Sequence, residues 1–430
     1  MLFRLWQQTL ARGGDAVALH RLDGREPTSF SCLQHRLDTL APLPAGELHI
    51  IESSEGLEKF VLEVMRCWRD DAVCCPVESR VGLNFPQATE LAPGLRHLKI
   101  TSGTTGQPRW VAFRPAQLVA DADNIRASMG LNPIFPNLAV VSAAHSYGFS
   151  NLILPLLLQG HPMVVAPDPM PGTLRRALSG PMRLTIPAVP ALWRAWHQAG
   201  LLKTAQIALA ISAGAPLPLE LERQVFEDSG LKLHNFFGSS ECGGIAYDPT
   251  TVPRADAGFA GFAMNGVRLC SGDDACLMVE SVAVAEGYHG PTASACSARL
   301  GAGRFHTSDL VELQGDAVFL RGRVGDTINV AGRKLNPSEV EEVLLTCASV
   351  KHCVVFGVPS SDAVRCEEPV ACVHADQSLT CEALTDWLAT RLPAWQLPRR
   401  FWFCSELQPN DRCKISRQDW RQRYLGLTLG

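Results

Sequence analysis

The sequence lacks the features that mark membrane, nucleic-acid-binding and zinc-binding proteins. The most apolar run, NLILPLLLQGHPMVV, is interrupted by Pro155 and Gln159, so we expect no stable membrane insertion. The 39 basic and 43 acidic residues give a net charge of −4, which argues against a general nucleic-acid or membrane-surface binder. The 15 cysteines form no C-x-x-C pair and no zinc-finger spacing. We therefore expect reduced thiols in a cytoplasmic protein.

The composition that remains is typical of a globular enzyme. The chain has 430 residues, of which 46% are hydrophobic and 19% charged, and this length favours two or three domains. The first residues, MLFRLWQQTLARGG, predict an amphipathic helix with Leu2, Leu5, Trp6 and Leu10 on one side. Because Arg4 lies inside the only apolar run there, a signal peptide is not expected.

The order of predicted elements indicates an α/β fold. Short apolar β-type runs alternate with helical runs through most of the chain, and from about Arg254 short strands and turns predict a β-rich subdomain. Asn336 and Pro337 then mark the start of a helix. We predict a large N-terminal domain of α/β subdomains plus the β-rich subdomain over 1–324, and a small mobile α+β C-terminal domain over 326–430. A hinge is expected near Gly325.

One loop, TSGTTGQPR, has almost no apolar residue of its own, although it joins two predicted strands, RHLKI and RWVAFR. It is not a Walker A loop, which would open a helix with a G-K-[ST] ending. Its glycines allow close approach of the backbone to a ligand, and its hydroxyl and N–H groups can donate to phosphate oxygens. Arg109 adds charge-assisted donors. Taken alone, an ordinary polar turn is the more common interpretation.

The loop is followed by six further motifs: HSYGF, SAGAP, NFFGSSE, HTSDL, GRVGDTINVAGRKLNPSEVEE and NDRCKISR. In this order, from about residue 98 to about 420, the chain resembles the adenylate-forming superfamily, which includes acyl- and aryl-CoA synthetases and peptide-synthetase adenylation domains. The resemblance implies that ATP and Mg²⁺ are used to convert a carboxylic acid to an acyl-AMP. It also implies transfer of the acyl group to a pantetheine thiol, either of coenzyme A or of an acyl carrier protein.

The resemblance also implies roles for individual residues. Those expected to contact the phosphates are Thr101, Ser102, Gly103, Thr104, Thr105, Gly106 and Arg109, with Ser240 facing the α-phosphate. Those expected around the adenine are Gly214, Ala215, Pro216, Asn235, Phe236, Phe237 and Gly238. Glu241 is the expected Mg²⁺ ligand, Asp309 and Arg323 the expected ribose contacts, and Lys414 the catalytic lysine that bridges carboxylate and α-phosphate. Gly332 would line the pantetheine path, and Lys334 would contact the nucleotide.

The motif SAAHSYGFS indicates which class of acid can be the substrate. No acidic residue stands where amino-acid-activating domains place an aspartate, so we expect an acid without an α-amine. The mainly apolar surroundings favour an aryl or medium-chain fatty acid. His145 is a candidate contact to the carboxylate, and a packed histidine is an equally open interpretation.

Several positions depart from the family pattern. Arg109 replaces the usual lysine, Gly325 stands at the hinge where aspartate or lysine is usual, and Cys413 replaces the glycine before Lys414. The phosphate loop also comes early, which indicates a shortened N-terminal region. An alternative hypothesis is therefore a nucleotide-binding protein that has lost turnover, although Glu241 and Lys414 are retained.

Overall fold

The computed structural model describes residues 1–86, 91–102, 108–289, 299–360, 367–376, 379–409 and 415–428. The helices are α1 (Leu2–Gly13), α2 (Phe30–Asp38), α3 (Leu57–Arg69), α4 (Pro115–Met129), α5 (Ser146–Gly148), α6 (Leu154–Gln159), α7 (Pro171–Leu178), α8 (Pro190–Gln198), α9 (Leu219–Ser229), α10 (Pro337–Leu345), α11 (Cys381–Ala389) and α12 (Arg417–Thr428), and a π-helical turn, Phe149–Ile153, joins α5 to α6. Within the described ranges no helix has both the length and the apolarity to cross a bilayer.

The strands alternate with these helices along the first part of the chain, as the α/β pattern predicts. They are β1 (Val17–Arg21), β2 (Thr28–Ser29), β3 (Leu48–Glu52), β4 (Val73–Val77), β5 (His97–Ser102), β6 (Pro108–Phe113), β7 (Asn137–Ala139), β8 (Met163–Val165), β9 (Leu184–Ala188), β10 (Ile207–Ser212), β11 (Leu233–Ser239), β12 (Gly243–Tyr247), β13 (Phe259–Ala263), β14 (Val267–Ser271), β15 (Cys276–Ser281), β16 (Gly287–His289), β17 (Leu300–Gly301), β18 (Arg304–Gln314), β19 (Ala317–Arg323), β20 (Ile328–Val330), β21 (Arg333–Leu335), β22 (Val350–Pro359), β23 (Glu367–Ala375) and β24 (Arg400–Phe403).

The chain divides into two compact units. The first comprises Met1–Cys270, Met278–Thr307 and Leu313–Val318, and the second comprises Ser271–Leu277, Ser308–Glu312 and Phe319–Gly430. The β-rich segment predicted from about Arg254 is present as β13 to β19, and its residues are shared between the units. The expected mixed α/β class is confirmed, whereas the hinge at Gly325 stays a prediction.

Two sheets in the first unit determine where ligands can bind. In one, β11, β10, β9, β7, β8 and β1 follow one another in parallel. In the other, β3, β4 and β5 are parallel and β6 returns antiparallel beside β5. Parallel strands end at one edge of their sheet, and ligands of α/β proteins bind outside that edge. The residues that follow β7, β10 and β11 therefore share one edge, and those that follow β3, β4 and β5 share the other.

Apolar side chains on α7, α8 and α9 cover the first of these sheets. Trp193 and Trp196 of α8 are fully buried there and pack edge to face, with ring centroids 5.1 Å apart. Helix α1 forms as predicted, but its buried side includes Thr9 together with Leu2 and Trp6. The hydrophobic pattern alone would place Thr9 on the solvent-facing side of the helix. Its buried hydroxyl has a hydrogen-bond partner, because it donates to the Leu158 carbonyl oxygen at 3.0 Å.

The second unit contains a sheet in which β23 pairs antiparallel with β22 and parallel with β24. Helix α10 begins as the sequence predicts: the Asn336 side chain accepts a hydrogen bond from the Ser338 N–H, and Pro337 occupies the first helical position. Val340 and Leu344 of this helix are buried in the apolar core that β22, β23 and α11 share. This unit is thus a small α+β body with its own core.

A buried ionic cluster ties α9 to the strands that carry the first-unit site. Glu222 is fully buried, pairs with Lys232, and accepts from Arg254 Nε at 2.7 Å. Lys232 also donates to Asp248 at 2.7 Å. Two carboxylates and two cations therefore neutralise one another beside the start of β11 and the end of β12. Buried charges are tolerated only when they are paired in this way.

Removing one member of this cluster should destabilise the protein strongly. Glu222→Ala leaves Lys232 and Arg254 without their shared carboxylate, so we expect a loss of about 3–5 kcal/mol in the free energy of unfolding. Urea unfolding followed by tryptophan fluorescence measures it. The matched control is Glu227→Ala on the exposed side of the same helix, with an expected change within about 0.5 kcal/mol. Equal stabilities of the two variants would contradict the assignment.

Candidate active site

The phosphate-loop motif lies at the carboxyl end of β5. Strands β5 and β6 pair in register, with Thr101 opposite Arg109, so the motif connects two strands as predicted. The connection brings the last residues of β5 to the same edge as those that follow β3 and β4. Four predicted phosphate contacts, Gly103, Thr104, Thr105 and Gly106, lie outside the described residues, and their roles stay predictions.

Glu241, the predicted metal ligand, is tied to the second sheet through Tyr288. The Tyr288 hydroxyl donates to Glu241 Oε1 at 3.0 Å. Tyr288 lies on β16, which pairs with β6 so that Tyr288 is opposite Val111. The Arg109 guanidinium carbon is 5.8 Å from the centroid of the Tyr288 ring, within cation–π range. One tyrosine thus contacts both the predicted metal ligand and the predicted phosphate cation.

The HSYGF motif follows β7 and begins a helical segment that contacts several elements. The Ser146 hydroxyl lies 2.9 Å from the Ser240 hydroxyl, beside Glu241. Tyr147 stacks on Phe236 of β11, with ring centroids 5.8 Å apart, and its hydroxyl donates to the Ile211 carbonyl at 3.4 Å. Burial raises the pKa of Tyr147, so this hydroxyl remains a donor. The motif is thereby held against the segment that carries Ser240 and Glu241.

His145 lies on the other side of the same motif. Its Nε2 is 3.2 Å from Glu78 Oε1, and Glu78 Oε2 accepts a hydrogen bond from the Ser53 hydroxyl at 2.5 Å. Ser53 follows β3 and Glu78 follows β4, so this pair reaches across from the edge of the second sheet. The candidate histidine is therefore held by a carboxylate that sequence reasoning did not single out.

The predicted adenine-pocket segments meet because their strands are neighbours. Ser212 of β10 is paired with Asn235 of β11, which places the turn that follows β10 beside the predicted aromatic residues. Gly214 in that turn has φ +84°, a conformation that favours glycine. The turn also contains Ala215 and Pro216, and β11 contributes Phe236, Phe237 and Gly238. The structure therefore brings together the predicted adenine contacts that lie in the first unit.

A buried carboxylate fixes the start of β12, directly after Glu241. Asp121 of α4 accepts from the Ser150 hydroxyl at 2.6 Å and from the Gly244 N–H at 3.1 Å. Gly243 has φ +68°, and a Cβ atom on it would overlap the Asp121 carboxylate. Glycine is therefore required here for two reasons, backbone conformation and close approach. No local sequence pattern marks this contact.

Two bases are buried under the phosphate-loop strand. His97 and Lys99 are consecutive inward-facing residues of β5. Burial lowers the pKa of both, and for His97 the nearby Lys99 charge lowers it further. The Lys99 ammonium lies 4.6 Å from the centroid of the Phe113 ring, a cation–π contact. Burial therefore disfavours the charged forms of both bases on the strand that leads into the predicted phosphate loop.

In the second unit, the two predicted ribose contacts lie together. Arg323 Nε donates to Asp309 Oδ1 at 2.8 Å. Gly332, with φ +82°, forms the turn between β20 and β21, where its N–H donates to Asn329 Oδ1 at 2.9 Å. Lys334 is exposed on β21, opposite Asn329. Each of these residues is thus placed by an ordered strand or turn of this unit.

The catalytic-lysine motif is anchored by a residue that the sequence reasoning missed. Lys414 and Cys413 lie outside the described residues, but Arg417 at the start of α12 donates to Asp326 at 2.5 Å and to both carboxylate oxygens of Glu341 at 2.8 and 2.9 Å. Burial raises the pKa of Glu341 in spite of the Arg417 charge. The segment three residues after Lys414 is therefore bound next to the predicted hinge.

Comparisons with known families match the two parts of the chain separately. Residues 97–288 match the AMP-binding enzyme family, and residues 339–412 match the AMP-binding enzyme C-terminal domain. The first range includes Glu241, and the second ends two residues before Lys414. The motifs that suggested the resemblance therefore lie within or beside regions that the family models match independently.

Among curated proteins, the chain is similar to the feruloyl-CoA synthase of an Amycolatopsis species, with 27% identity over 76% of this chain and 69% of the relative. It is also similar to the probable 2-succinylbenzoate–CoA ligase of Mycobacterium tuberculosis, with 26% identity over 76% of this chain and 84% of the relative. Among solved structures, the o-succinylbenzoate CoA synthetase of Bacillus subtilis in complex with its acyl-adenylate superposes with a TM-score of 0.82, at 19% identity and 97% coverage of both chains. At that identity the superposition shows the fold.

The packing of Gly243 against Asp121 leads to a testable expectation. Gly243→Ala should lower the free energy of unfolding by about 1–2 kcal/mol from the left-handed backbone and by a further ~1–3 kcal/mol from overpacking. Gly200→Ala is a matched control, because Gly200 has the same φ of +68° but open space around its Cα. The difference between the two variants in urea unfolding measures the cost of overpacking, because both variants share the cost of the left-handed backbone. If the two variants lost equal stability, the close approach of Asp121 would have no energetic role.

Proposed function

The chain belongs to the AMP-binding enzyme family, and from this premise we propose that it activates a carboxylic acid with ATP and transfers the acyl group to a pantetheine thiol. The observation that carries the proposal is the contact set around Glu241. Tyr288 and Arg109 connect this carboxylate to the phosphate-loop strands, and Ser146 connects its neighbour Ser240 to the acid-binding motif. The predicted metal, phosphate and acid contacts of the first unit thus converge in one place.

The first half-reaction is the attack of the substrate carboxylate on the α-phosphorus of ATP. It forms the acyl-AMP mixed anhydride and expels pyrophosphate, so the carboxylate acquires a good leaving group. Most of the catalysis must come from positioning the phosphates and neutralising their charge. The phosphate loop and Arg109 would bind the β- and γ-phosphates, and Ser240 would face the α-phosphate.

The side chains around Glu241 fit a magnesium site. A carboxylate oxygen is a donor that this hard cation prefers, and Mg²⁺ in such sites is held jointly by one or two carboxylates and the substrate phosphates. The Tyr288 hydroxyl donates to Oε1 and so fixes the direction of the carboxylate. Glu241 would hold the ion, and the ion when bound supplies charge neutralisation at the phosphates.

The family resemblance implies the remaining contacts to the nucleotide. The turn at Gly214 and the aromatic residues Phe236 and Phe237 would enclose the adenine, and Asp309, oriented by Arg323, would accept hydrogen bonds from the ribose hydroxyls. Lys334 would add a contact to the nucleotide. Lys414 would place its ammonium between the carboxylate and the α-phosphate, where negative charge accumulates in the first step.

The thiol and the acid are assigned by two separate arguments. The curated relatives are ligases for coenzyme A, which favours coenzyme A over an acyl carrier protein as the thiol that accepts the acyl group. The pantetheine arm of this thiol would pass Gly332. The HSYGF segment carries no acidic residue for an amine, which favours an aryl or medium-chain fatty acid. His145 would contact the carboxylate.

The proposed function is tested by product analysis. We expect ATP, Mg²⁺, coenzyme A and one member of a panel of aryl and medium-chain acids to give a thioester, AMP and pyrophosphate in equal amounts, as measured by mass spectrometry and chromatography. Nucleotide binding without turnover across the panel, detected by calorimetry, would instead favour the hypothesis of a binding protein, which the substitutions Arg109, Gly325 and Cys413 suggest.

Substitution of the proposed metal ligand should slow the first half-reaction. Glu241→Gln keeps the size of the side chain and an oxygen for the Tyr288 hydroxyl but removes the charge that would hold Mg²⁺. We expect pyrophosphate–ATP exchange to fall about 10²–10³-fold at limiting Mg²⁺, with partial recovery at high Mg²⁺. Glu227→Gln, exposed on α9, is the control. Normal exchange by the Glu241 variant at limiting Mg²⁺ would contradict the assignment of Glu241 as the metal ligand.

Lys414 should matter in one half-reaction only. Its ammonium is expected to stabilise the adenylation step, so Lys414→Ala should lower acyl-AMP formation by about 10²–10³-fold. The variant should still convert supplied acyl-AMP to thioester, because the C-terminal domain is expected to turn this residue away for the second step. Assays of both half-reactions on one preparation check this. A parallel loss of both rates would argue against the assignment of Lys414.

A further inference from the structure

Arg417, the first residue of α12, joins three separate elements of the second unit. Its Nη1 donates to Asp326 Oδ2 at 2.5 Å, and its Nη2 donates to both carboxylate oxygens of Glu341 on α10 at 2.8 and 2.9 Å. Its Nε donates to the Val355 carbonyl oxygen of β22 at 2.7 Å. All three nitrogen atoms of the guanidinium are therefore engaged, which fixes the orientation of this planar group.

Glu341 attaches this network to the end of a sheet. Strand β22 is the outer strand in the order β22, β23, β24, so its outward main-chain groups need partners other than a neighbouring strand. Glu341 Oε1 accepts from the Val355 N–H at 2.7 Å, and Arg417 donates to the Val355 carbonyl oxygen. The Arg417–Glu341 pair thus satisfies both main-chain groups of one residue and holds the start of α12 against the sheet.

The two ends of the network lie beside residues that the proposed chemistry requires. Arg417 comes three residues after Lys414, and Ile415, between them, packs against the apolar core that the sheet shares with α12. On the other side, Asp326 directly follows Gly325, which has φ +91° and open space around its Cα. The chain is therefore fixed directly after the predicted catalytic lysine and directly after the predicted hinge, and Arg417 connects the two places.

We propose that Arg417 is a positioning residue for Lys414, and that its contact with Asp326 transmits the orientation of the hinge to that lysine. The inference rests on the adenylation proposed above. Arg417 takes no part in making or breaking bonds and acts through the Lys414 ammonium, which must lie between the carboxylate and the α-phosphate. A displacement of about 1 Å in a reacting group can lower a rate by about 10²-fold. A fixed attachment close to Lys414 therefore governs the rate of the first half-reaction.

The experiment compares two variants of the full-length protein in both half-reactions. Arg417→Lys keeps the charge but loses the fork of donors. Asp326→Asn leaves the Arg417–Glu341 pair intact, and because Asp326 is partly exposed this variant is expected to fold. We expect pyrophosphate–ATP exchange to fall on the order of 10²-fold in Arg417→Lys and by a smaller factor in Asp326→Asn. Thioester formation from supplied acyl-AMP should stay within about twofold, because Lys414 is not required there.

Arg421→Lys is the matched control. Arg421 lies one turn further along α12 and donates to the Gly357 carbonyl oxygen of the same strand at 2.7 Å, but it pairs with Glu367 rather than with Asp326. This variant loses a comparable attachment of the helix to β22 without affecting the network at the hinge. We therefore expect both half-reactions to keep their rates.

A double substitution shows whether Arg417 acts through Lys414. In a Lys414→Ala background, Arg417→Lys should lower the residual pyrophosphate–ATP exchange by less than about twofold, because the group that it positions is no longer present. Losses that multiply in the double variant would show that the two residues act independently and would overturn the inference. So would normal pyrophosphate–ATP exchange in both the Arg417 and Asp326 variants, or an equal loss in both half-reactions.

Amide hydrogen exchange gives a readout that does not depend on activity. The peptide that covers residues 408–420 should exchange about tenfold faster in Arg417→Lys than in the unsubstituted protein or in Arg421→Lys, because its attachment opens more often. Unchanged amide exchange would overturn the inference whatever the activities are. Absence of pyrophosphate–ATP exchange in the unsubstituted protein would instead contradict the proposed function, and the amide measurement would still decide whether Arg417 holds this segment.

Discussion

The helical segment that begins at His145 is the constraint on which the first-unit site depends. Its successive side chains contact different elements: His145 the end of β4, Ser146 the turn after β11, Tyr147 the strand β11, and Ser150 the helix α4. Gly148 makes this possible, because a Cβ atom there would overlap the Ser142 carbonyl oxygen. Two sheets whose carboxyl edges would otherwise be independent are thus fixed to one short segment.

The electrostatic design follows from this arrangement. Two carboxylates near the candidate site are oriented by hydrogen bonds from uncharged hydroxyl groups. Glu241 accepts one from Tyr288, and Glu78 accepts one from Ser53. Buried charges that serve only the scaffold, such as Glu222 and Lys232, are instead neutralised by direct pairing. A carboxylate held by a hydroxyl retains its charge for a ligand, whereas one paired with a cation does not. This difference separates the proposed ligand contacts from the structural ions.

The sequence predicted those parts of the molecule that have local signals. Strand and helix alternation, the cap at Asn336 and the order of the motifs all depend on residues close together in the chain, and the α/β class and the family are confirmed. Glu78, Asp121 and Tyr288 were missed because each reaches the site through strand pairing or helix packing over a long stretch of chain. No periodicity or motif marks such contacts. The roles of the individual site residues remain predictions.

In the proposed reaction, the protein forms an acyl-AMP before any thiol takes part. Exchange of labelled pyrophosphate into ATP, measured with Mg²⁺ and a panel of aryl and medium-chain acids but without coenzyme A, tests it most directly. We expect exchange that depends on one class of acid and does not require a thiol. Exchange that is absent with every acid in a protein that binds ATP, or that appears only when coenzyme A is added, would contradict it.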